Sequence, residues 1–372
     1  NKFSSPYRNK DYLKKEILEK IKFINKLRKT KSSNNLAHSE NSTNSSNSVH
    51  NHNLVNSSQP SYTLRKSKSL NDVSSTSFNT NNLNVEKASC IFPPQQKIVA
   101  IGDIHGDLSV AIKALKLANV IDLRIPDTQI DISKINWTGG NTFIVQLGDQ
   151  IDRVRPSKLF NSLCMETETD LYEDEGSDLK IMCLFDRLNL QAQKVGGAVL
   201  CVLGNHELMN VDGDFRYVSP KEFREFGNYF NGKFEYNADK PYGFKERKEV
   251  FEPGGIIAKR LANNRYSVVQ VGSWIFVHGG ISPPCAEEYS LNDINLYIKK
   301  WLLGDKTPNT MRHVHNLYHR DDDEHSPFWT RIFSDLDEWQ NLNSIKEFNK
   351  TLHNLNIKNR NLTDQKIKGM VM

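Results

Sequence analysis

At 372 residues the chain is long enough for one large domain or two ordinary ones, so length excludes little. It is 37% hydrophobic and 25% charged, globular values on average, but a mean hydropathy of −0.59 implies that part of the chain does not pack into a core. The formal net charge of +5 is concentrated at one end: residues 1–32 carry eleven Lys or Arg against Asp11, Glu16 and Glu19, which leaves the remainder at about −3, so the basic balance is no argument for nucleic-acid binding there.

Five cysteines (Cys90, Cys164, Cys183, Cys201 and Cys285) are odd in number and contain no C-x-x-C pair, which favours a reducing compartment. No apolar run approaches the roughly 20 residues of a membrane span, and no early stretch reads as a secretory signal. The chain starts at Asn1 rather than methionine, so a removed leader stays open. An intracellular, cytoplasmic setting is the expectation.

In chain order, Leu13, Ile17, Ile21, Ile24 and Leu27 recur at helical spacing among lysines, which predicts a basic amphipathic helix within residues 1–31. Such a helix is either a solvated or packed arm, or a weak contact to a membrane surface or protein partner through residues 10–31. Residues 32–90 are dominated by Asn and Ser and read as a disordered linker. Residues 91–372 read as the catalytic domain. Lys97 to Gly102 (KIVAIG), Thr142 to Gly148 (TFIVQLG) and Ala198 to Gly204 (AVLCVLG) are short buried strands that end in glycine, and Asp107 to Ala118 is a helix. Strands alternating with helices imply an α/β core with a parallel sheet. Arg265 to Val271 and Trp274 to His278, joined by Gly272 and Ser273, predict a hairpin in a second sheet. Residues 165–178 (METETDLYEDEGSD) and the cluster Asp321–Glu324 read as solvated acidic loops.

Each strand is followed by side chains suited to metal or phosphate: GDIHGD at 102–107, GDQIDR at 148–153, GNHE at 204–207 and HGG at 278–280. Sites in open α/β sheets form outside the carboxyl ends of strands, so the four motifs converge on one crevice. Carboxylate oxygen, imidazole nitrogen and one amide oxygen, with no thiolate, suit hard or borderline divalent cations such as Mn, Fe or Zn. Asp103 and His105 reach one ion from a single turn, Asp149 can bridge two, and Asn205 with His278 completes part of the second ion's ligand set.

The four motifs resemble those of the phosphoprotein phosphatase superfamily of calcineurin-like metallophosphoesterases. The continuation GNHELMNVDGDFRYV (204–218), the segment 178–199 and PFWTR (327–331) are similar to its Shewanella-like branch. The resemblance implies an αββα sandwich of two mixed sheets flanked by helices, and a two-metal protein serine/threonine phosphatase, phosphotyrosine being an alternative, with a phosphoprotein as partner and a metal-bridging hydroxide as nucleophile. It assigns Asp103, His105, Asp149, Asn205 and His278 to the metals. His206 becomes the general acid, Asp152 the carboxylate that orients it, and Arg153, Arg331 and Asn205 the groups that hold phosphate. Two other readings stand beside it: a small-molecule phosphoesterase acting on nucleotides or dinucleoside polyphosphates, and an inactive binding module. Two departures accompany the resemblance. Val154-Arg155-Pro156 replaces the glycine usual after GDxxDR, and the family's last ligand to the second metal, a Gly-His-Thr segment, has no match before the sequence stops at KIKGMVM. That ligand is expected beyond Met372, which leaves the second metal site of the given sequence one ligand short.

Overall fold

The apolar runs that end in glycine do form strands, and their alternate side chains face opposite ways. A short first strand, β1 (Ile91–Phe92), is followed by β2 (Ile98–Ile101), helix α1 (Leu108–Leu117), β3 (Phe143–Gln146), helix α2 (Asp178–Gln193) and β4 (Ala198–Val202). Asp107 caps α1 by accepting a hydrogen bond from the Val110 N–H, which explains why the helix starts directly behind the GDIHGD turn. Four short helices follow: α3 (Asn205–Val211), α4 (Pro220–Tyr229), α5 (Phe244–Phe251) and α6 (Ile256–Asn264). Beyond them lie β5 (Arg265–Tyr266), β6 (Val268–Val271) and β7 (Trp274–Val277), then α7 (Pro283–Glu288), α8 (Leu291–Leu302), α9 (Pro308–Val314), α10 (Asn341–Asn359) and β8 (Gly369–Val371). This computed structural model describes residues 89–126, 130–154, 174–230, 240–319, 325–334 and 341–372, all within the unit that begins at Asn84. The expected basic helix, the linker up to residue 88, Arg155-Pro156, most of the acidic stretch 165–178 and the cluster 321–324 lie outside the described residues.

The strands make two four-stranded sheets, in the orders β2-β3-β4-β5 and β1-β6-β7-β8. The first is parallel throughout. The second is mixed: β6 and β7 form the expected antiparallel hairpin, while β1 and β8 add parallel strands at its edges. The run from Arg265 to Val271 is not one strand of the second sheet, as its composition implies. Arg265 and Tyr266 pair with β4 in the first sheet, and the chain changes sheet at Ser267, where the Asn295 side chain accepts the Ser267 N–H at 2.8 Å and donates to the Val268 carbonyl at 2.8 Å. A side chain from α8 thus replaces ladder bonds that a continuous strand would have made.

Three apolar layers follow from the two-residue period of the strands. Phe143, Val145, Leu200 and Val202 of the first sheet meet Val269, Val271 and Phe276 of the second between the sheets. The opposite face of the first sheet, with Ile144, Val199 and Cys201, packs on α1 and α2. Val268, Ile275 and Val277 turn outward from the second sheet onto α6, α7 and α8. The architecture is therefore two sheets flanked by helices, as the motifs implied. Among the described residues no helix is long and apolar enough to cross a membrane. Because Ile144 is fully buried between β3 and the outer helices, Ile144→Ala is expected to cost about 2–5 kcal/mol, read as a fall in the urea unfolding midpoint without loss of α/β secondary structure in circular dichroism.

Candidate functional site

Parallel pairing puts the carboxyl ends of β2, β3 and β4 at one edge, and the antiparallel β7 delivers His278 to meet them. The loops are joined by backbone bonds. The Ile104 and His105 N–H groups donate to the Asp149 carbonyl at 3.0 and 2.9 Å, and Gly106 N–H donates to the Gln150 carbonyl at 2.9 Å. The structure accordingly brings Asp103, His105, Asp149, Asn205, His206 and His278 together. Two groups of donor atoms, each lying within 4.8 Å of one another, share Asp149: Asp103 with His278, and His105 with His206.

The imidazoles are oriented by their other nitrogen. His278 Nδ1 lies 2.8 Å from the Leu147 carbonyl and His105 Nδ1 lies 3.3 Å from the Ile151 carbonyl. A carbonyl can only accept, so both rings carry a proton on Nδ1, and in the neutral imidazole this leaves Nε2 as the acceptor. His278 Nε2 then faces two oxygens, Asn205 Oδ1 at 2.8 Å and Asp149 Oδ2 at 3.4 Å. His105 Nε2 faces Asp103 Oδ2 at 3.5 Å and Asp149 Oδ2 at 3.8 Å. Lone pairs that converge without a proton between them are the arrangement a cation satisfies. Burial pushes the Asp149 carboxyl well above its ordinary range, and the charges of Glu207 and Asp103 push it further. Burial also lowers the His278 imidazole, a shift opposed by Asp103 and by the Leu147 hydrogen bond and reinforced by the Arg331 charge.

This centre is held by a backbone in uncommon conformations. His105, Asp149 and Asp152 lie at φ 50°, 51° and 71°, three of the four non-glycine residues with positive φ among those described. Such geometry survives only where the surroundings over-determine it. Glu207 does so for Asp149, accepting the N–H groups of Asp149 at 3.0 Å, Gln150 at 2.7 Å and Gly204 at 2.7 Å. Burial raises the Glu207 carboxyl to about 7 despite those three donors. Gly204 is needed for a separate reason: a side chain there would collide with the Asp149 carboxylate and its backbone. The sequence motif contains Glu207, but its part as a backbone clamp is visible only once β3 and β4 are adjacent.

His206 differs from the other two imidazoles. Its Nδ1 lies 2.9 Å from Asp152 Oδ2, a carboxylate, while its Nε2 is 3.7 Å from Asp149 Oδ2. A carboxylate partner stabilises the doubly protonated ring, which a carbonyl does less well, so this histidine is suited to carrying a proton. Burial raises Asp152 to about 6, with Arg247 and Asn210 opposing the shift. Asn210 donates to both Asp152 oxygens at 3.0 and 2.9 Å. It sits four residues after His206 on α3, a spacing that places both on one helix face. Arg247, Asp178 and Glu222 complete a buried cluster behind Asp152 that the motifs do not reveal. The expectation of a solvated loop over 165–178 fails at its described end: Asp174 and Asp178 are 2% and 0% exposed. Asp178 pairs with Arg247 at 2.8 Å, and Asp174 accepts from the Ser219 hydroxyl.

Of the two expected phosphate clamps, Arg153 is fixed by Asp107 at 3.1 Å and by its own N–H to Glu222 at 2.8 Å. Arg331 is exposed and donates to the Thr330 carbonyl at 3.0 Å. Its segment is tied to the HGG turn by Gly279 N–H to the Pro327 carbonyl at 2.8 Å. Strand β8 runs parallel to β7, and Met372 lies beside Gly280, so the last described residue abuts the turn that carries His278.

Compared with known proteins, residues 96–352 match the model of the calcineurin-like phosphoesterase family, and the chain belongs to that family. Two similar proteins carry the name of the branch that the motifs resembled. The chain is 34% identical over 245 residues to Shewanella-like protein phosphatase 2 of Arabidopsis thaliana, covering 58% of this chain and 54% of that protein. It is 29% identical over 227 residues to Shewanella-like protein phosphatase 1 of Plasmodium berghei, covering 60% and 50% respectively. The chain thus spans about half the length of these curated relatives. Among solved structures, a cold-active protein-tyrosine phosphatase of a psychrophilic Shewanella species overlaps 71% of this chain and 66% of its own, with 20% identity and a TM-score of 0.46.

Electrostatic crowding behind the site has a measurable sign. Burial and the neighbouring Asp178 raise Glu225 on α4 to about 8. Between its unfolded value and pH 8 the folded chain therefore binds a proton that the unfolded chain does not, so stability falls as pH rises through this window. Urea midpoints measured from pH 5.5 to 8.5 on metal-free protein should show that decline, and Glu225→Gln should make it shallower and raise the midpoint at the alkaline end.

Proposed function

We propose that the chain is a two-metal phosphomonoester hydrolase that acts on phosphoserine or phosphothreonine in proteins. In this reading Asp103 and His105 would hold one cation, Asn205 and His278 the second, and Asp149 would serve both, the donor set suiting Mn, Fe or Zn. The observation that carries the reading is the convergence of His105, His206 and His278 Nε2 on the single buried carboxylate of Asp149, with the Asn205 amide oxygen 2.8 Å from His278 Nε2. When bound, the two cations would supply an acidified water and neutralise charge at phosphorus. Arg153 and Arg331 orient the phosphate and absorb charge on its oxygens, and Asn205 is the third group that holds it. His206 passes a proton to the departing oxygen, and Asp152 keeps the ring aimed.

The Asp152–His206 pair favours an alkyl phosphoester as substrate. A serine or threonine alkoxide departs far less readily than a tyrosine phenolate, whose conjugate acid has a pKa of about 10, so a positioned acid matters most for the former. The curated relatives above carry the name protein phosphatase, which supports a phosphoprotein partner. A panel of phosphoserine, phosphothreonine and phosphotyrosine peptides, run beside dinucleoside polyphosphates, tests the substrate class. Higher kcat/KM on the dinucleotides would overturn it.

The roles separate in two variants. His206→Asn is expected to lower kcat by about 10² or more while both metals remain bound, and Asp149→Ala to lose the metals together with activity. Elemental analysis of the purified variants alongside kcat reads both outcomes, and retained turnover in either contradicts the assignment.

A further inference from the structure

Helix α5 carries a fully buried arginine, Arg247, for which the chemistry described so far has no use. Its guanidinium lies 2.9 Å from Asp152 Oδ1 and 2.8 Å from Asp178 Oδ2, and its Nε donates to Asn210 Oδ1 at 2.7 Å. The rings of Phe226 and Phe251 pack on it at 4.7 and 5.2 Å. Asp152, Asp178 and Glu222 offer oxygens within 4.8 Å of one another, a concentration of acid that a buried cation must offset. Arg247 occupies the middle of it.

We propose that Arg247 is a positioning residue for the hydrolysis, acting through Asp152 on His206. The inference rests on the phosphatase reading above. Asp152 has two oxygens with divided tasks. Oδ2 accepts from His206 Nδ1 at 2.9 Å, while Oδ1 is taken by Arg247, and Asn210 reaches across both. A carboxylate held on one oxygen by a rigid guanidinium cannot rotate its other oxygen away from the imidazole. Arg247 fixes Asn210 as well, so the two donors that set the carboxylate plane are themselves coupled. Packing alone does not account for an arginine here. An apolar residue of equal volume would fill the space beside Phe226 and Phe251 but would leave Asp152 and Asp178 buried without their cation. What the guanidinium adds is direction and charge at Asp152.

The test compares two substrates with different leaving groups, a phosphoserine peptide and p-nitrophenyl phosphate, whose phenolate leaves without much help from an acid. With metals loaded, Arg247→Met should lower kcat on the peptide by about tenfold or more, a part of what a general acid supplies. KM should change little, and the aryl phosphate should lose less than about threefold. Arg247→Lys should recover part of the peptide rate, and Arg247→Met placed in the His206→Asn background should cause no additional loss. Should Arg247→Met fail to fold, the double variant R247M/D178N removes one cation and one anion together and should show the same selective loss. Equal losses on both substrates, or losses that multiply with those of His206→Asn, would overturn the proposal. If His206→Asn itself shows no dependence on the leaving group, both the proposal and the acid role of His206 fall; if only the Arg247 variants lack it, the phosphatase reading stands alone.

Discussion

Burying the Asp149 carboxylate beside Asp103, Glu207 and Asp152 is electrostatically unfavourable, and much of the surrounding architecture offsets that cost. The residue is 3% exposed and its backbone is left-handed. Three neighbouring features keep it there: the Glu207 clamp on the β3 and β4 loops, the absence of a side chain on Gly204, and the carbonyl bonds that tie the GDIHGD turn to the same loop. A cluster of this kind is a poor design for stability and a good one for holding cations, because the field that raises the Asp149 carboxyl is the field that attracts positive charge.

The sheet topology explains why so short a set of motifs suffices. Parallel strands deliver their carboxyl ends to one edge, so GDIHGD, GDQIDR and GNHE need only follow their strands directly to become neighbours. HGG reaches the same place by a different route, since β7 is the return strand of a hairpin in the second sheet. The inter-sheet layer of Val145, Leu200, Val269 and Phe276 fixes the distance between the sheets, and with it the distance between His278 and the first-sheet loops. Packing far from the chemistry therefore sets the separation of the donor atoms.

The parts legible in the sequence were those encoded locally. Short apolar runs closed by glycine located β2, β3 and β4, two β-rich runs joined by Gly272 and Ser273 located the β6–β7 hairpin, and metal-capable side chains after each strand located the centre. What was not legible depends on contacts distant in sequence. The sheet change at Ser267 is directed by Asn295, 28 residues later. Asp178 lies in a stretch of acidic residues that composition alone assigns to solvent, and its burial is intelligible only once Arg247 is known to face it. Arg247 itself stands among Lys245, Lys248 and Glu249 on a short helix, where nothing in the order of residues separates a buried guanidinium from an exposed one. Ser219 and Glu222 form a capping box at the start of α4. The box alone does not imply the second bond that Glu222 makes to the Arg153 N–H, which depends on the GDQIDR loop lying beside α4.

Glu222 therefore has two roles that are linked. As the third residue of α4 it closes a capping box with Ser219, accepting the Ser219 N–H at 2.7 Å through one oxygen, and it holds the backbone of Arg153 through the other. The start of α4 and the position of Arg153 are thereby fixed by one side chain. Arg247 stands in the same relation to Asp152 and Asp178, joining the GDQIDR loop to the first turn of α2. In both cases a charged group that begins or crosses a helix also orients a residue of the site, so the helices around the first sheet act as more than packing. They determine the directions in which Asp152 and Arg153 point, and orientation is what the roles proposed for these two residues depend on.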